Sequence, residues 1–266
     1  ATPSDITVTD TEIDGVNGFT ELGSAINVAT FTIGSSTYAI VIAHDDSDDI
    51  GIEDNGVQII DISDPTNIIA TDAETDGENG FTALDGAIDV DTFTIGSSTY
   101  AIVVAQDDGG ITIIDISDPT NIVVTDTKTD GANGFDEINL LTGVDTFTIG
   151  SSTYAIVTSW AGVSLSAVTI IDISDPTNIV VTDSETDGAN GFDGFFAPYD
   201  VDTFTIGSST YAIVTGNVFD GVQMFDISDP TNIVVTDTET DGANGFDELD
   251  GAIDVDTFTI GSSTYA

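Results

Sequence analysis

The stretch YAIVVAQDDGGITIIDISDPTN, Tyr100 to Asn121, decides the fold. Two apolar runs, Thr99 to Ala105 and Ile111 to Ile116, flank a Gly-containing turn, and SDPTN then breaks the chain. β-Branched residues dominate both runs, which are too short for helices and too continuously apolar for strands with one wet face. They are therefore expected to be strands covered on both faces. On the N-terminal side Asp89 to Ile95 is a further strand, joined to the next by a GSS hairpin turn in which Gly96 takes positive φ. On the C-terminal side Ile122 to Thr129 is a fourth strand. Between the third and fourth, Asp118 and Pro119 hold the first two positions of a type I turn.

This unit recurs. FTIGSSTYA is found at 31–39, 93–101, 147–155, 204–212 and 258–266, and DISDPTN at 61–67, 115–121, 172–178 and 226–232. A third phrase, DG-x-NGF, ends in Phe19, Phe81, Phe135, Phe192 and Phe246. From Pro65 to Pro119 is 54 residues, from Pro119 to Pro176 is 57 and from Pro176 to Pro230 is 54, whereas an insert stretches the first interval to 62. A period near fifty residues with four strands per unit fits a propeller blade and is too long for a β-helix rung. The expected fold is all-β, a propeller of four-stranded blades with an incomplete terminal blade. It forms one repeat domain over 1–266, with units near 1–63, 64–117, 118–174, 175–228 and 229–266.

Tyr100 to Asn121 resembles the LVIVD repeat: an apolar strand, a Gly-containing turn, an apolar strand ending in acid and Ser, then Asp-Pro. The likeness recurs in every complete unit. It implies a propeller of the kind found mainly in secreted and cell-surface microbial proteins, and implies no particular activity.

Out-of-phase ends complicate ring closure. The chain opens on a fourth strand, Ile6 to Glu12, and stops early in a second strand at Ala266, so a closing blade would lack its third strand. Three explanations stand: a strand supplied by a neighbouring molecule, an excerpt from a longer run of repeats, or a three-stranded last blade.

Charge bounds the partners. The chain holds 48 acidic residues, one Lys (Lys128) and no Arg, a net charge of −47, which repels nucleic acid and anionic membrane surfaces. Charged residues are only 18% and apolar residues 40%, the composition of a folded chain. So many unpaired acids imply screening salt or bound cations. No apolar run reaches the roughly 20 residues of a membrane helix, and membrane insertion is not expected. There is no Cys and no N-x-[ST] sequon, while dense Ser and Thr could accept O-linked glycan. The acid excess and the Ser/Thr-rich, Cys-free repeats suit an extracellular or cell-surface setting; no signal peptide precedes Ala1, so an exported form would be mature or a fragment.

After each fourth strand, alternate acids followed by Gly and a later Glu match the spacing of an EF-hand-type Ca²⁺ loop. Full sets are Asp10, Glu12, Asp14, Glu21 and Asp237, Glu239, Asp241, Glu248. Partial sets are Asp72, Glu74, Asp76; Asp126, Asp130, Glu137, with Lys128 in the second place; and Asp183, Glu185, Asp187. The competing reading makes these acids the solvated face of an outer strand, with charge protecting the edge. Further candidates are the insert acids near His44 (Asp45, Asp46, Asp48, Asp49, Glu53, Asp54) and the Asp89, Asp91, Asp254 and Asp256 carboxyls that open the first strands. The former read as solvated loop tips or a binding loop, the latter as a channel lining or as caps on the blade crossing. The Phe of NGF reads as a packed wedge.

With one His, no Cys and no Arg, triads, thiol chemistry and phosphoryl clamps have no parts, and the abundant carboxylates repeat without a singular pair. A non-enzyme is expected. Uniform repeats suit a self-associating filament or surface layer. The alternative is an adhesin whose variable loops, such as Ser159 to Ala167 with Trp160, carry recognition.

Overall fold

The computed structural model describes residues 7–44, 55–160, 162, 166–189, 192, 197–218 and 220–266. Every element is a strand. Blade 1 is β1 (Ala25–Ile33), β2 (Ser36–Ala43), β3 (Gly56–Asp61) and β4 (Ile69–Thr75). Blade 2 is β5 (Ala87–Ile95), β6 (Ser98–Ala105), β7 (Gly110–Asp115) and β8 (Val123–Thr129). Blade 3 follows as β9 (Leu141–Ile149), β10 (Ser152–Trp160), β11 (Ser166–Asp172) and β12 (Val180–Thr186). Blade 4 is β13 (Pro198–Ile206), β14 (Ser209–Gly216), β15 (Gly221–Asp226) and β16 (Val234–Thr240), and the fifth sheet holds only β17 (Phe258–Ile260) and β18 (Ser263–Tyr265). Each complete blade is an antiparallel meander in sequence order, with its first strand innermost and packed on the first strands of the neighbouring blades. The all-β propeller expectation holds.

Local chemistry makes each blade. The GSS turn closes the first hairpin with Gly96 at φ 65°, and the Phe and Tyr of FTIGSSTY stack across it, as in Phe93–Tyr100 at 5.5 Å between ring centroids. In the DISDPTN turn the Asp118 carbonyl accepts the Asn121 N–H, and the Asp118 carboxylate accepts both the N–H and O–H of Thr120. These hydrogen bonds hold the Asp118 carboxyl below its usual range. The second and third strands are sandwiched between blades: Ile102, Val103, Val104, Ile111 and Ile113 are wholly buried, in two separate interblade cores.

The DG-x-NGF loop closes on itself. Gly77 N–H donates to the Phe81 carbonyl at 2.6 Å, and Asn79 and Gly80 take left-handed φ. This drives Phe19, Phe81, Phe135 and Phe192 under the loop with at most 1% exposure, so the wedge reading holds there, whereas Phe246 remains 39% exposed.

One expected strand is absent: residues 7–13 form no strand, and Ile6 lies outside the described residues. Among the described residues no third strand lies beside the segment to supply a hydrogen-bonded ladder. It still docks, through Asp10, on blade 1.

Candidate functional site at the central channel

Two positions in each unit, four and two residues before the FTIG phenylalanine, lie at the inner ends of the blades on the side turned to the next blade. The outer position holds Asn27, Asp89, Gly143, Asp200 and Asp254, and the inner one Ala29, Asp91, Asp145, Asp202 and Asp256. At the mouth, Asn27, Asp89, Thr142, Asp200 and Asp254 line a funnel of about 630 Å³ to which all five blades contribute. Asp89 and Asp254 thus line a channel, as one of the two expectations had it. The other also holds, because Asp89 Oδ2 accepts Val144 N–H of the next blade at 2.7 Å.

The channel acids tie each blade to the next. Asp91 Oδ2 accepts both N–H and O–H of Thr146, Asp145 Oδ2 accepts Thr203 N–H at 2.7 Å, and Asp202 Oδ2 accepts Thr257 N–H at 2.6 Å. Asp200 Oδ2 accepts Val255 N–H at 2.9 Å, and Asn27 donates to Asp89 at 2.6 Å. The Asp91 and Asp145 carboxyls also influence one another electrostatically, as do Asp200 and Asp254. Burial pushes Asp89 up to about 6 against the opposing pull of the Val144 and Val90 N–H groups. Burial, with the Asp254 contact and the Asp89 charge, raises Asp200 to about 7. Deeper in, burial and the Asp91 charge raise Asp145 to about 8.

Sequence reading missed Asp145, Asp200 and Asp202. The signal was available, since they occupy the repeat positions of Asp89 and Asp91. Gly143 breaks the outer ring for a steric reason: a Cβ there would lie 2.9 Å from the Tyr199 carbonyl oxygen and 3.1 Å from Thr158 Oγ1.

The candidate Ca²⁺ ligands are distributed over three kinds of partner. The first acid of each set crosses to the next blade: Asp10, Asp72, Asp126 and Asp183 accept the backbone N–H of Ile68, Ile122, Ile179 and Ile233 at 2.7–2.9 Å. A bulge at the preceding Thr aims them outward, and that Thr hydroxyl bonds back to the third strand, as Thr125 does to the Ile113 carbonyl. Asp237 in the same position accepts Thr238 N–H of its own strand. The second acid takes the Asn of its own NGF loop, Glu12 with Asn17, Glu74 with Asn79 and Glu239 with Asn244. The third caps the loop that follows: Asp14, Asp76, Asp130 and Asp241 accept the N–H of Leu22, Leu84, Ile138 and Leu249. Glu185 and Asp187 lie on and just after β12. Of the last-position acids, Glu21 is buried and accepts the Thr75 hydroxyl, Glu137 is half-buried and Glu248 is exposed. Burial, then the Asp130 and Asp136 charges, raise Glu137. Lys128 sits 2.6 Å from both oxygens of Asp126, its neighbour on the outer strand. Among the described residues no group of three or more acids or histidines is arranged to hold a metal ion, so the loops do not gather an EF-hand-like donor set.

His44 lies 3.6 Å from Asp107 at the channel rim, where burial raises Asp85 and Asp108 and neighbouring acids add to it. The insert acids Asp45, Asp46, Asp48, Asp49, Glu53 and Asp54 lie outside the described residues. Trp160 ends β10 with 39% exposure.

Chemically, a carboxyl raised as far as that of Asp200 could deliver or take a proton near neutrality.

Comparison with known proteins supports the same architecture. The LVIVD repeat model matches residues 50–71, 97–127 and 156–186. No curated protein sequence matches the chain. A functionally unknown protein from Desulfotomaculum acetoxidans is similar in structure, with TM-score 0.54 and 15% identity over 81% of this chain and 57% of that one. A glycoside hydrolase family 43 arabinoxylan arabinofuranohydrolase from Bacillus subtilis gives 0.52 and 14% over 84% and 54%. An exo-β-1,3-galactanase from Phanerochaete chrysosporium gives 0.52 and 8% over 84% and 51%. The chain spans little more than half the length of these structures, and identities this low speak for fold alone. Blade meanders, shared first-strand axis and matched repeats together make this chain a β-propeller that carries LVIVD repeats at three positions.

Proposed function

We propose that this propeller is a non-catalytic building block of an extracellular filament or surface layer, in which copies associate through blade faces. The observation that carries the reading is a repeat face that the blades bury against one another. Val90, Val144 and Val201 are 5%, 5% and 3% exposed where a preceding blade packs on them, and Val28 in the same repeat position is 55% exposed. Ile26 on the same strand is 44% exposed. A surface that this chain buries three times against copies of its own blades accepts one more copy of that blade, from a further repeat unit or from a second molecule by face packing or strand addition. The acids recur with the repeat unit, which favours a non-catalytic reading. The charge of −47 supports a cation-rich exterior, where Ca²⁺ or Na⁺ screens the surface and O-linked glycan on the Ser/Thr-rich turns is compatible with the fold.

Electron microscopy and light scattering over a concentration series test this. Ordered polymers or concentration-dependent association are expected, weakened by Val28→Lys. A wild-type chain that remains monomeric at every concentration and salt would sink the proposal. The half-exposed Trp160 favours a second reading, recognition of a ligand by the variable loops. Under that reading the protein is monodisperse, and Trp160→Ala abolishes binding to a glycan array without changing the melting temperature.

A further inference from the structure

The NGF loop that precedes a blade lies beside its third and fourth strands, and the blades close the gap between them differently. In blade 1 Gln58 spans it: its Oε1 accepts Thr20 N–H from the loop at 3.0 Å, and its Nε2 donates to the Asp72 carbonyl on β4 at 2.6 Å. In blade 2 the same repeat position is Thr112, whose hydroxyl reaches the Ala83 carbonyl of the loop at 3.2 Å. Blade 3 has Thr169 there, and its hydroxyl pairs sideways with Ser184 on β12 at 2.8 Å. A cleft of about 290 Å³ is left between loop and strands, the size of a small-ligand site. A second replacement keeps that cleft charged. Glu137 holds the repeat position of Glu21, which in blade 1 is buried and accepts the Thr75 hydroxyl. Gly56 makes the room, since a Cβ there would lie 2.5 Å from Glu21 Oε2. Blade 3 has Ala167 in place of that Gly, paired with Thr186, and Glu137 stays half-buried at the cleft.

The lining selects the ligand. Among the described residues its polar side chains are Asp136, Glu137, Thr169, Ser184 and Thr186, all oxygen-bearing and none with an N–H. Carboxylates only accept, and hydroxyls accept as readily as they donate, so the set is complementary to an ammonium, which has three donors and no acceptor. Anions are repelled by the two acids and by the charge of −47. A metal ion matches less well, because no group of three or more acids or histidines is gathered among the described residues. Phe135, Ile138 and Val181 also give the cleft an apolar end, which suits a hydrocarbon chain. Burial first, then the Asp130 and Asp136 charges, raise the Glu137 carboxyl, and a cation beside it would offset those charges. Lys128, the one Lys of the sequence, is held 2.6 Å from Asp126 on β8 and does not fill the cleft. We infer that the blade 3 cleft binds a primary alkylammonium, its nitrogen on Glu137 and the three hydroxyls and its chain along Phe135, Ile138 and Val181. Such a group comes from a small free amine or from a lysine side chain of another protein.

An NMR titration of the isotope-labelled full chain with n-butylammonium chloride, in about 0.15 M NaCl to screen loose ion pairing, tests this. Saturable amide shifts are expected at 134–138 and at Thr169, Ser184 and Thr186. Thr169→Gln gives blade 3 the residue that Gln58 and Gln223 supply in blades 1 and 4, and should fill the cleft and weaken binding at least about tenfold. Asp247→Asn, an exposed acid outside the cleft, should leave binding unchanged. The inference is overturned by the lack of a saturable shift at the cleft, or by shifts that Thr169→Gln leaves unaltered. Equal shifts with tetramethylammonium, which has the charge but no N–H, or with glucose overturn it too. Should Thr169→Gln not fold, Glu137→Gln decides: weakened binding supports the site, and unchanged binding overturns it. Nα-acetyl-lysine amide separates the two sources. Binding like that of n-butylammonium means that the cleft takes a partner's lysine, and binding of n-butylammonium alone confines it to free amines; both results support the assignment.

Discussion

Asp72 and Asp237 occupy the same place in the repeat but have different partners. Asp72 holds Ala73 N–H and, across the blade boundary, Ile122 N–H; Asp237 holds Thr238 N–H on its own strand. Hydrogen bonds to a charged acceptor are worth about 1.5–3 kcal/mol, and removing this one also leaves a half-buried N–H unpaired. Asp72→Ala should therefore cost about 2–3 kcal/mol in urea unfolding, and Asp237→Ala well under half of that. Equal losses would mean that the cross-blade bond adds nothing. The sequence shows these acids plainly yet leaves their role open. Alternate carboxylates followed by Gly have the spacing of a cation loop, and only the outward bulge reveals that the first acid turns toward the next blade. Repeat arithmetic was the better guide, because a residue kept in every unit and bonded to the following unit is what a ring of identical blades needs.

The strands were legible because composition and turn chemistry agreed. β5 begins two residues earlier than the acid at its expected start, β7 and β8 move by a single residue, and the Pro119 turn forms as its Asp-Pro chemistry requires. Residues 7–13 were misread for a physical reason: β propensity makes a strand only beside a partner. The NGF wedge gives a clean test at this scale. Phe135→Ala empties a site buried to 1% and should cost about 3–5 kcal/mol, whereas Phe246→Ala, at 39% exposure, should cost under about 1.5. A second test restores the repeat's own residue. Gly143→Asp matches Asp89, Asp200 and Asp254, yet its Cβ would press on the Tyr199 carbonyl and Thr158, so the consensus residue should lower the melting temperature. A gain in stability would show that blades 3 and 4 can part to admit it.

Electrostatics belongs to the whole molecule. With 48 acids and one Lys, self-repulsion is spread over every surface. Raising salt from about 0.05 to about 1 M shortens the screening length several-fold and should raise the melting temperature by several degrees. Calcium at matched ionic strength separates specific binding from screening. An additional gain that a chelator reverses supports bound Ca²⁺, and superimposable sodium and calcium curves with no chelator effect remove it. The channel shows why sequence alone stopped short. That five units meet at one axis is a property of the assembled blades, and it turns acids roughly fifty-five residues apart into neighbours.

The acid-to-backbone ties between blades described above run in one direction, from an acid in one blade to an N–H in the next, and their spans are similar, from 50 residues for Asp72 to Ile122 to 58 for Asp145 to Thr203. Mechanically, that makes the propeller a string of similar links. Pulled from its ends, it should surrender blades one after another at closely matched forces, paying out a near-constant length of chain with each, and so behave as an extensible shock absorber between the points it joins.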